Sequence, residues 1–352
     1  MSTFNGKNIS VEIFGESHAD KIGVKVTGFP AFKFDKVKLD KFLARRKASG
    51  QVYSTARMES DEPIFDNVTN GQIKGEFSAV ILNTNTRSGD YAELHGKPRP
   101  SHADYAWHVK DGVTDFSGGG RFSGRMTAPL CIAGGIAKDY LETLGIKIYA
   151  YVKSIGNICG RSYKDGDVAA NELETLLNSD SFPALKNADK MIQAITAAKA
   201  EGDSLGGVIE CIVYGMKPGV GDCLFQGLEG KISSLVYSVP AVKGVEFGDG
   251  FAITQAPGSI ANDAYHYVDG RVTTIKNSAG GINGGISNGA NITLSVAIRP
   301  TPSIAKTQDT VDLVNKVNTT IQIKGRHDAC IVPRAVPCIE SAVALAILDE
   351  IL

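Results

Sequence analysis

Apolar and polar positions alternate with period two at the start of the chain. Residues 9–14 (ISVEIF) and 23–29 (GVKVTGF) therefore read as two strands, joined by Gly15-Glu16-Ser17-His18-Ala19-Asp20-Lys21-Ile22. Residues 37–47 place Val37, Leu39, Phe42 and Leu43 at helical spacing and end on Arg45-Arg46-Lys47. Residues 48–63 show no period and read as an ordered loop, and 77–83 (FSAVILN) reads as a buried strand. From 85 to 120 the chain is polar, with Gly, Pro and His, and no long element is expected there. A stretch of that length inside a globular chain is usually functional or disordered, and Tyr91, Tyr105, Trp107 and Phe116 weigh against disorder.

A long helix is expected over 123–144, with Met126, Leu130, Ala133, Ala137, Tyr140, Leu141 and Leu144 on its inner stripe. Further helices are expected at 169–178, 188–201, 228–238, 309–321 and 337–351, and strands at 146–153, 206–215, 243–248 and 292–298. Strands and helices come in mixed blocks rather than in strict alternation, which points to an α+β fold instead of a doubly wound sheet. With no low-complexity linker and no sustained repeat, residues 1–352 are expected to form one domain.

Composition adds two facts. Lys+Arg number 37 against 38 Asp+Glu, a net charge of -1 that argues against a general polyanion binder, so no nucleic-acid partner is expected. Seven of the 12 arginines fall between positions 45 and 125, where even spreading would put about three. The guanidinium fork suits carboxylate and phosphate, so this clustering suggests an anionic ligand. The first eight residues carry no apolar run and the stretch 342–348 is far short of a membrane span. Six cysteines are scattered without a CxxC pair, and no histidine has zinc-site spacing. A cytoplasmic chain without metal is expected.

Four constellations carry candidate chemistry. Gly15-Glu16-Ser17-His18 presents a histidine at a strand end. Arg99-Pro100-Ser101-His102-Ala103-Asp104 sets an imidazole between an arginine and a carboxylate. Gly118-Gly119-Gly120-Arg121-Phe122-Ser123-Gly124-Arg125 opens the long helix, with glycines that let backbone N–H groups approach an anion and Ser123 as N-cap. The last comprises 280–289, Arg299-Pro300-Thr301-Pro302-Ser303, and Arg326-His327-Asp328. Glycines in its first part would let a flat ring or phosphate lie against backbone, and Asp328 is a candidate base.

In their order and spacing these blocks resemble the chorismate synthase family. The matching stretches are GESHADKIGVKVTGFP, RR…STARMESD, NTNTRSGDY, PRPSHADY, GGGRFSGRMTA, AGGIAK, EGDSLGG, PAVKGVEFGDGF, GGINGGISNG, RPTPSI and RHDACIVPRAVPCIE, nearly the whole chain. The resemblance implies helices sandwiched between antiparallel sheets in a homotetramer. It also implies a lyase of aromatic amino acid biosynthesis (the shikimate pathway) that removes phosphate and a ring proton from 5-enolpyruvylshikimate 3-phosphate in a 1,4-anti elimination. The product is chorismate, and reduced FMN is required although the reaction is redox-neutral.

Residue by residue, the resemblance makes His18 the acid at the departing phosphate, His102 the proton donor to reduced flavin, and Asp328 the partner of the flavin in taking the ring proton. It assigns Arg121, Ser123, Pro240, Ala241, Gly284, Arg299, Pro300, Thr301, Pro302, Ser303 and Arg326 to flavin binding. Arg46, Arg99, Arg125 and Arg326 line the substrate and flavin pocket, Arg46 being also an NADP-associated position. The chain departs from the family at Phe122 and Gly124 (usually Ser and Ala), at Ser101 (usually Gly), at Lys47-Ala48 (usually Pro-Gly) and at Val52, a second NADP-associated basic position. The last two departures weigh against NADP(H); at 352 residues no spare domain for a flavin reductase is expected, so an external reductase is the expected source of reduced FMN. A reading from another class is a flavin- or phosphometabolite-binding protein without turnover, motivated by Phe122, Ser101 and Val52. The three proton-transfer candidates speak against it.

Overall fold

A computed structural model of the chain describes residues 1–17, 19–48, 50–51, 61–83, 95–116, 118–323 and 328–352. Alternation near the start of the chain becomes the first sheet: β1 (Ser2–Asn5), β2 (Ser10–Gly15), β3 (Lys21–Lys33), β4 (Ile64–Asp66) and β5 (Gln72–Leu82), in the order β1-β2-β3-β5-β4. All its pairings are antiparallel, with Val11 opposite Val26 and Val24 opposite Ala79. One face presents Val11, Val24, Val26, Phe77, Ala79 and Ile81 to the interior. Each of the larger side chains in this set contributes about 1.5–3 kcal/mol when removed from water, which fixes the register, because a one-residue slip would turn the whole set outward.

The second sheet comprises β6 (Lys147–Ile155), β7 (Ile158–Cys159), β8 (Gly207–Tyr214), β9 (Val242–Phe247) and β14 (Ile292–Ile298), ordered β7-β6-β8-β14-β9 and again antiparallel. Between the sheets run α1 (Lys36–Ala44), α3 (Thr127–Thr143), α6 (Leu228–Tyr237) and α8 (Val332–Ile351). Helix α3 packs on the first sheet and α8 on the second, and the two helices pack on each other. The fold is thus the α+β sandwich expected from the resemblance. Helices α4 (Ala170–Leu177) and α5 (Ala188–Ala200) also pack on β6, which explains why that strand is apolar on both faces.

The α3–α8 contact is backbone-close. A Cβ added to Gly134 would lie 2.3 Å from the Ser341 Cα, and one turn earlier the sulfurs of Cys131 and Cys338 stand 3.8 Å apart. The pairings advance together, so the helices run parallel, with both N-termini at the same end of the layer. One ion cluster crosses it: Glu340, fully buried, accepts from Arg45 Nη1 (3.0 Å) and Nη2 (2.7 Å), from the Ala150 N–H (2.9 Å) and from Lys138. It ties down the end of α1, the point at which Arg46 turns toward the open end of the layer. No helix among the described residues is long and apolar enough to cross a membrane.

Three expectations need correction. Residues 309–321 are not a helix but the hairpin β15 (Gln308–Asp312) and β16 (Val317–Ile321), pairing Gln308 with Ile321. Helix α2 (Asp104–Asp111) occupies part of the stretch read as lacking any long element, with Gly112 closing it at φ 71°. Helix α8 begins at Val332, earlier than the expected 337, because Pro333 sits in its first turn, where a missing N–H costs nothing. Pro337, one turn on, does forfeit a bond. The remaining pieces are α7 (Gly258–Ala261) and two small hairpins. These are β10 (Tyr265–Val268) with β11 (Arg271–Thr274), and β12 (Ile282–Asn283) with β13 (Ile286–Ser287).

Candidate active site

At the N-terminal ends of α3 and α8 lies a cavity of about 310 Å³, within the range of small-molecule sites. Its wall includes Arg46, Arg99, Arg125, Arg299 and Arg334 against the carboxylates of Asp61 and Asp328, an excess of three positive charges among the described residues. Counting Asp104, which pairs with Arg99 just behind the wall, the excess is two. Both helix N-termini add partial positive charge in the same direction. Phe122, Pro240, Ala241 and Ile331 supply apolar surface, and the backbone of Gly118 and Gly119 completes one side.

The arginines are held rigidly. Arg46 donates from Nε to Thr127 Oγ1 (3.0 Å) and from Nη1 to Asp61 Oδ2 (2.6 Å), while Arg125 Nη1 takes the other oxygen of Asp61. Arg125 Nε reaches Asn83 Oδ1 (3.2 Å), and the Asn83 amide donates to the backbone oxygens of Glu16 (3.3 Å) and Ala19 (2.6 Å). The Ser17 N–H donates to the Gly120 carbonyl (3.3 Å). Thus Glu16, Ser17 and Ala19 are pinned at the cavity rim, and Ser17 lines the cavity. His18 and Arg326 lie outside the described residues.

His102 sits in a compact local network. Its Nδ1 is 2.5 Å from Asp104 Oδ1, and Asp104 also accepts from Arg99 Nε (2.7 Å), Nη2 (2.8 Å) and backbone N (3.0 Å). Burial would raise the Asp104 pKa, but hydrogen bonds from Arg99 and His102 outweigh it and bring the value down to about 2. A carboxylate ionised at any working pH therefore fixes the ring, and the Nδ1 contact leaves Nε2 as the nitrogen available for proton transfer. Ser101, where the family has Gly, holds φ 59°. The turn that presents His102 thus needs the left-handed conformation that glycine adopts freely.

On the opposite wall, Asp328 Oδ2 accepts from Arg334 Nη1 (2.5 Å). Its Oδ1 is buried and has no hydrogen-bond partner among the described residues, an arrangement that normally marks a site awaiting a ligand or proton. Thr301 Oγ1 donates to the Asp328 carbonyl (3.0 Å), and Ser204 Oγ in turn holds the Thr301 carbonyl (2.7 Å). Arg299 has no carboxylate partner among the described residues; its Nη1 reaches only the Pro300 carbonyl (3.3 Å), and burial lowers its pKa. A partly desolvated guanidinium without a counter-ion suits an incoming anion.

The cavity of one chain therefore collects His102, Asp328, Arg46, Arg99, Arg125, Ser123, Pro240, Ala241, Arg299, Thr301, Pro302 and Ser303. Arg121, Gly284 and Pro300 do not line it. Arg121 turns outward to Asp111 and stacks over Trp107 and Phe122. Gly284 is at the open turn of β12–β13, with nothing within 4 Å of an added Cβ. The neighbouring Gly280 and Gly285 instead pack on backbone, at Gly248 N (2.4 Å) and Asp222 O (2.2 Å) from an added Cβ. Ser123 caps the short turn Gly124–Met126, accepting from Arg125 N, and not α3 itself. Asn83, Asp61, Thr127 and Arg334 were not singled out from sequence, because their roles depend on tertiary partners; proximity to Asp328 was the one signal for Arg334.

The residues fit a flavin. An excess of guanidinium groups, one of them without a carboxylate partner among the described residues, answers a phosphate, while Phe122, Pro240, Ile331 and bare glycine backbone answer a flat ring. The chain resembles known proteins along its whole length. The family model described as chorismate synthase matches residues 9–352. Curated relatives named chorismate synthase include those of Dehalococcoides mccartyi, 39% identical over 99% of this chain and 96% of the relative, and Korarchaeum cryptofilum, 41% identical with the same coverage. The relative from Lancefieldella parvula is 43% identical, again over 99% and 96%. A solved structure titled "Crystal Structure of Chorismate Synthase" superposes with a TM-score of 0.74 over 99% of this chain and 93% of that one, at 24% identity, a likeness of fold.

Proposed function

Because the chain belongs to the chorismate synthase family, we propose that this cavity is where 5-enolpyruvylshikimate 3-phosphate loses phosphate and a ring proton to become chorismate. The enzyme is a lyase acting on a small phosphorylated substrate, and its family depends on reduced flavin. The observation that carries the assignment to this cavity is the meeting of His102, Asp328 and five guanidinium groups, drawn from positions 46 to 334, around one space.

The substrate carries a phosphate and two carboxylates, so the basic wall binds it and lowers the cost of phosphate departure. With water excluded, those charges act with little screening. Arg46 and Arg125 are clamped by Asp61 and cannot reorient, so their charge is in place before the substrate arrives. Arg299, lacking such a partner, takes up an anionic group directly. His102 holds or releases a proton at Nε2, steadied through Nδ1 by Asp104. Asp328 receives a proton at Oδ1, with Oδ2 anchored by Arg334. His18 is the acid for the leaving phosphate on the strength of its place in the matching block. Reduced FMN would be held by Ser123, Pro240, Ala241, Arg299, Thr301, Pro302 and Ser303 of the cavity wall, with Arg326 on the strength of its place in the matching block, and would supply the transient electron density that eases phosphate loss.

The wider reading is one domain over 1–352 that works as a homotetramer in the cytoplasm and receives reduced FMN from an external reductase. Support for the first comes from the continuous core joining both sheets through the helical layer. The tetramer is supported by exposed aromatic side chains between 225 and 267, the reductase by Val52, and the compartment by six free cysteines.

Purified protein, given photoreduced FMN and 5-enolpyruvylshikimate 3-phosphate without oxygen, should release phosphate stoichiometrically with chorismate. Unchanged substrate would overturn the activity, and tight binding without phosphate release would leave a binding protein. His102→Ala should fold normally and turn over ~100-fold or more slowly; a wild-type rate would remove His102 from proton transfer.

A further inference from the structure

We propose that Cys131 and Cys338 form an oxidisable dithiol in the wall of the cavity, closed to an intramolecular disulfide by peroxide. Nothing in the elimination uses either thiol. Their sulfurs stand 3.8 Å apart, in contact, with Cys131 on α3 and Cys338 on α8. Both side chains are buried, yet Cys338 lines the cavity beside Arg46, Thr127 and Arg334. Its Sγ lies 3.5 Å from the Arg334 carbonyl. A small oxidant that enters the active site meets Cys338 first, with Cys131 directly behind it.

A disulfide needs Cα atoms roughly 4.4–6.8 Å apart. Here the backbones are already in contact one turn further along, where Gly134 meets Ser341. Closing the sulfurs from 3.8 Å to about 2.05 Å is then a short further approach of two groups already in contact. The two thiols also differ in character. The hydrogen bond from Cys131, helped by the Arg46 charge, holds Cys338 below the usual thiol range, whereas burial pushes Cys131, Cys211 and Cys330 upward. An attacking thiolate with a resolving thiol behind it is the arrangement that reacts with peroxide.

The chemistry balances. The Cys338 thiolate attacks one peroxide oxygen, the O–O bond breaks, and the departing hydroxide takes a proton and leaves as water; Cys338 is then a sulfenic acid. The Cys131 sulfur attacks the Cys338 sulfur, the S–O bond breaks, and a second water leaves with the Cys131 proton. Two thiols lose two electrons and one peroxide is reduced to two waters. That peroxide arises at this cavity, as it does wherever reduced flavin meets dioxygen, rests on the flavin reading above; the pairing of the thiols does not.

The test adds hydrogen peroxide from outside to the full chain, with and without FMN, then alkylates free thiols in denaturant and maps peptides by mass spectrometry. A crosslinked peptide pair containing Cys131 and Cys338, lost again with dithiothreitol, is expected at peroxide levels that leave Cys211 and Cys330 alkylated. In Cys131→Ser, dimedone should label Cys338. Recovery of both thiols in alkylated form after the exposed Cys159 and Cys223 have been oxidised would overturn the proposal, as would a disulfide joining other cysteines. Because this readout needs no turnover, failure of the flavin reading leaves it standing. Mapping the unsubstituted protein keeps the test valid should the variant misfold.

Discussion

Asp104 shows how much of the site's chemistry is set by one carboxylate. It neutralises Arg99 and fixes His102, and its folded pKa of about 2 lies below the ordinary carboxylate value of 3.8. Between those values the folded chain binds fewer protons than the unfolded one, so unfolding free energy rises with pH there by up to about 1.4 kcal/mol per pH unit. The contribution is fully present above about pH 4 and is lost as pH falls through about 2. Asp104→Asn should remove this slope from urea unfolding curves at low pH and, by freeing the imidazole, cut kcat more than it raises KM; an unchanged acid slope would contradict the assignment. Ser101 offers a complementary test. Its left-handed φ of 59° costs about 1–2 kcal/mol, while glycine gives back about 0.4–1 kcal/mol in unfolded-state entropy. Ser101→Gly should therefore stabilise thermally by roughly 0.5–1 kcal/mol, whereas a lowered melting temperature would show that the turn is not strained. His102 was legible in the sequence because Arg99, His102 and Asp104 interact within six positions. Asp61 was not, since what it does depends on Arg46 and Arg125, which reach it across the fold.

At the level of elements, local periodicity succeeded where one face alone decides and failed where two patterns coincide. The strand 292–298 was read to the residue because Ile292, Leu294, Val296 and Ile298 alternate along it and it is buried between two neighbouring strands. Residues 309–321 place Val311, Val314 and Val317 three apart, which mimics a helical stripe. Their β-branched content and a turn in which Asp312 caps the N–H groups of Val314 and Asn315 (both 2.9 Å) decide for a hairpin. Helix α2 was missed although Gly112 marks its end, because its neighbours are polar on both sides. The parallel contact of α3 and α8 was invisible too, since glycine at 134 advertises close approach but not the partner. That contact makes a sharp prediction. Gly134→Val puts a branched side chain into Ser341 and must push the helices apart, for a loss of about 3 kcal/mol or more. Because both helices end at the cavity, kcat should fall with stability; a variant as stable as wild type would refute the close packing.

On the scale of the whole molecule, the sandwich explains why residues far apart in sequence converge. The helical layer is covered by a sheet on each face, so its open end is where a polar ligand can enter, and two parallel helices bring positive ends there together. The order of elements alone showed an α+β fold; the layering came only with the family resemblance. One property of the single chain is left over. Phe225, Phe251 and Tyr267 are 95%, 83% and 78% exposed, and Leu224 is 86% exposed. Isolated apolar side chains on a surface are ordinary, but these are the groups that the proposed contact between copies would bury. Burying each against a second copy would contribute about 1.5–3 kcal/mol, and symmetry repeats the gain at every equivalent contact. Sedimentation of the wild type should give an assembly near four times the 37.3 kDa chain. Phe251→Glu combined with Tyr267→Glu should shift it to smaller species without altering the circular dichroism of the fold. A monomeric wild type at micromolar concentration, or a double variant that still assembles fully, would show that these side chains serve something other than the contact between copies.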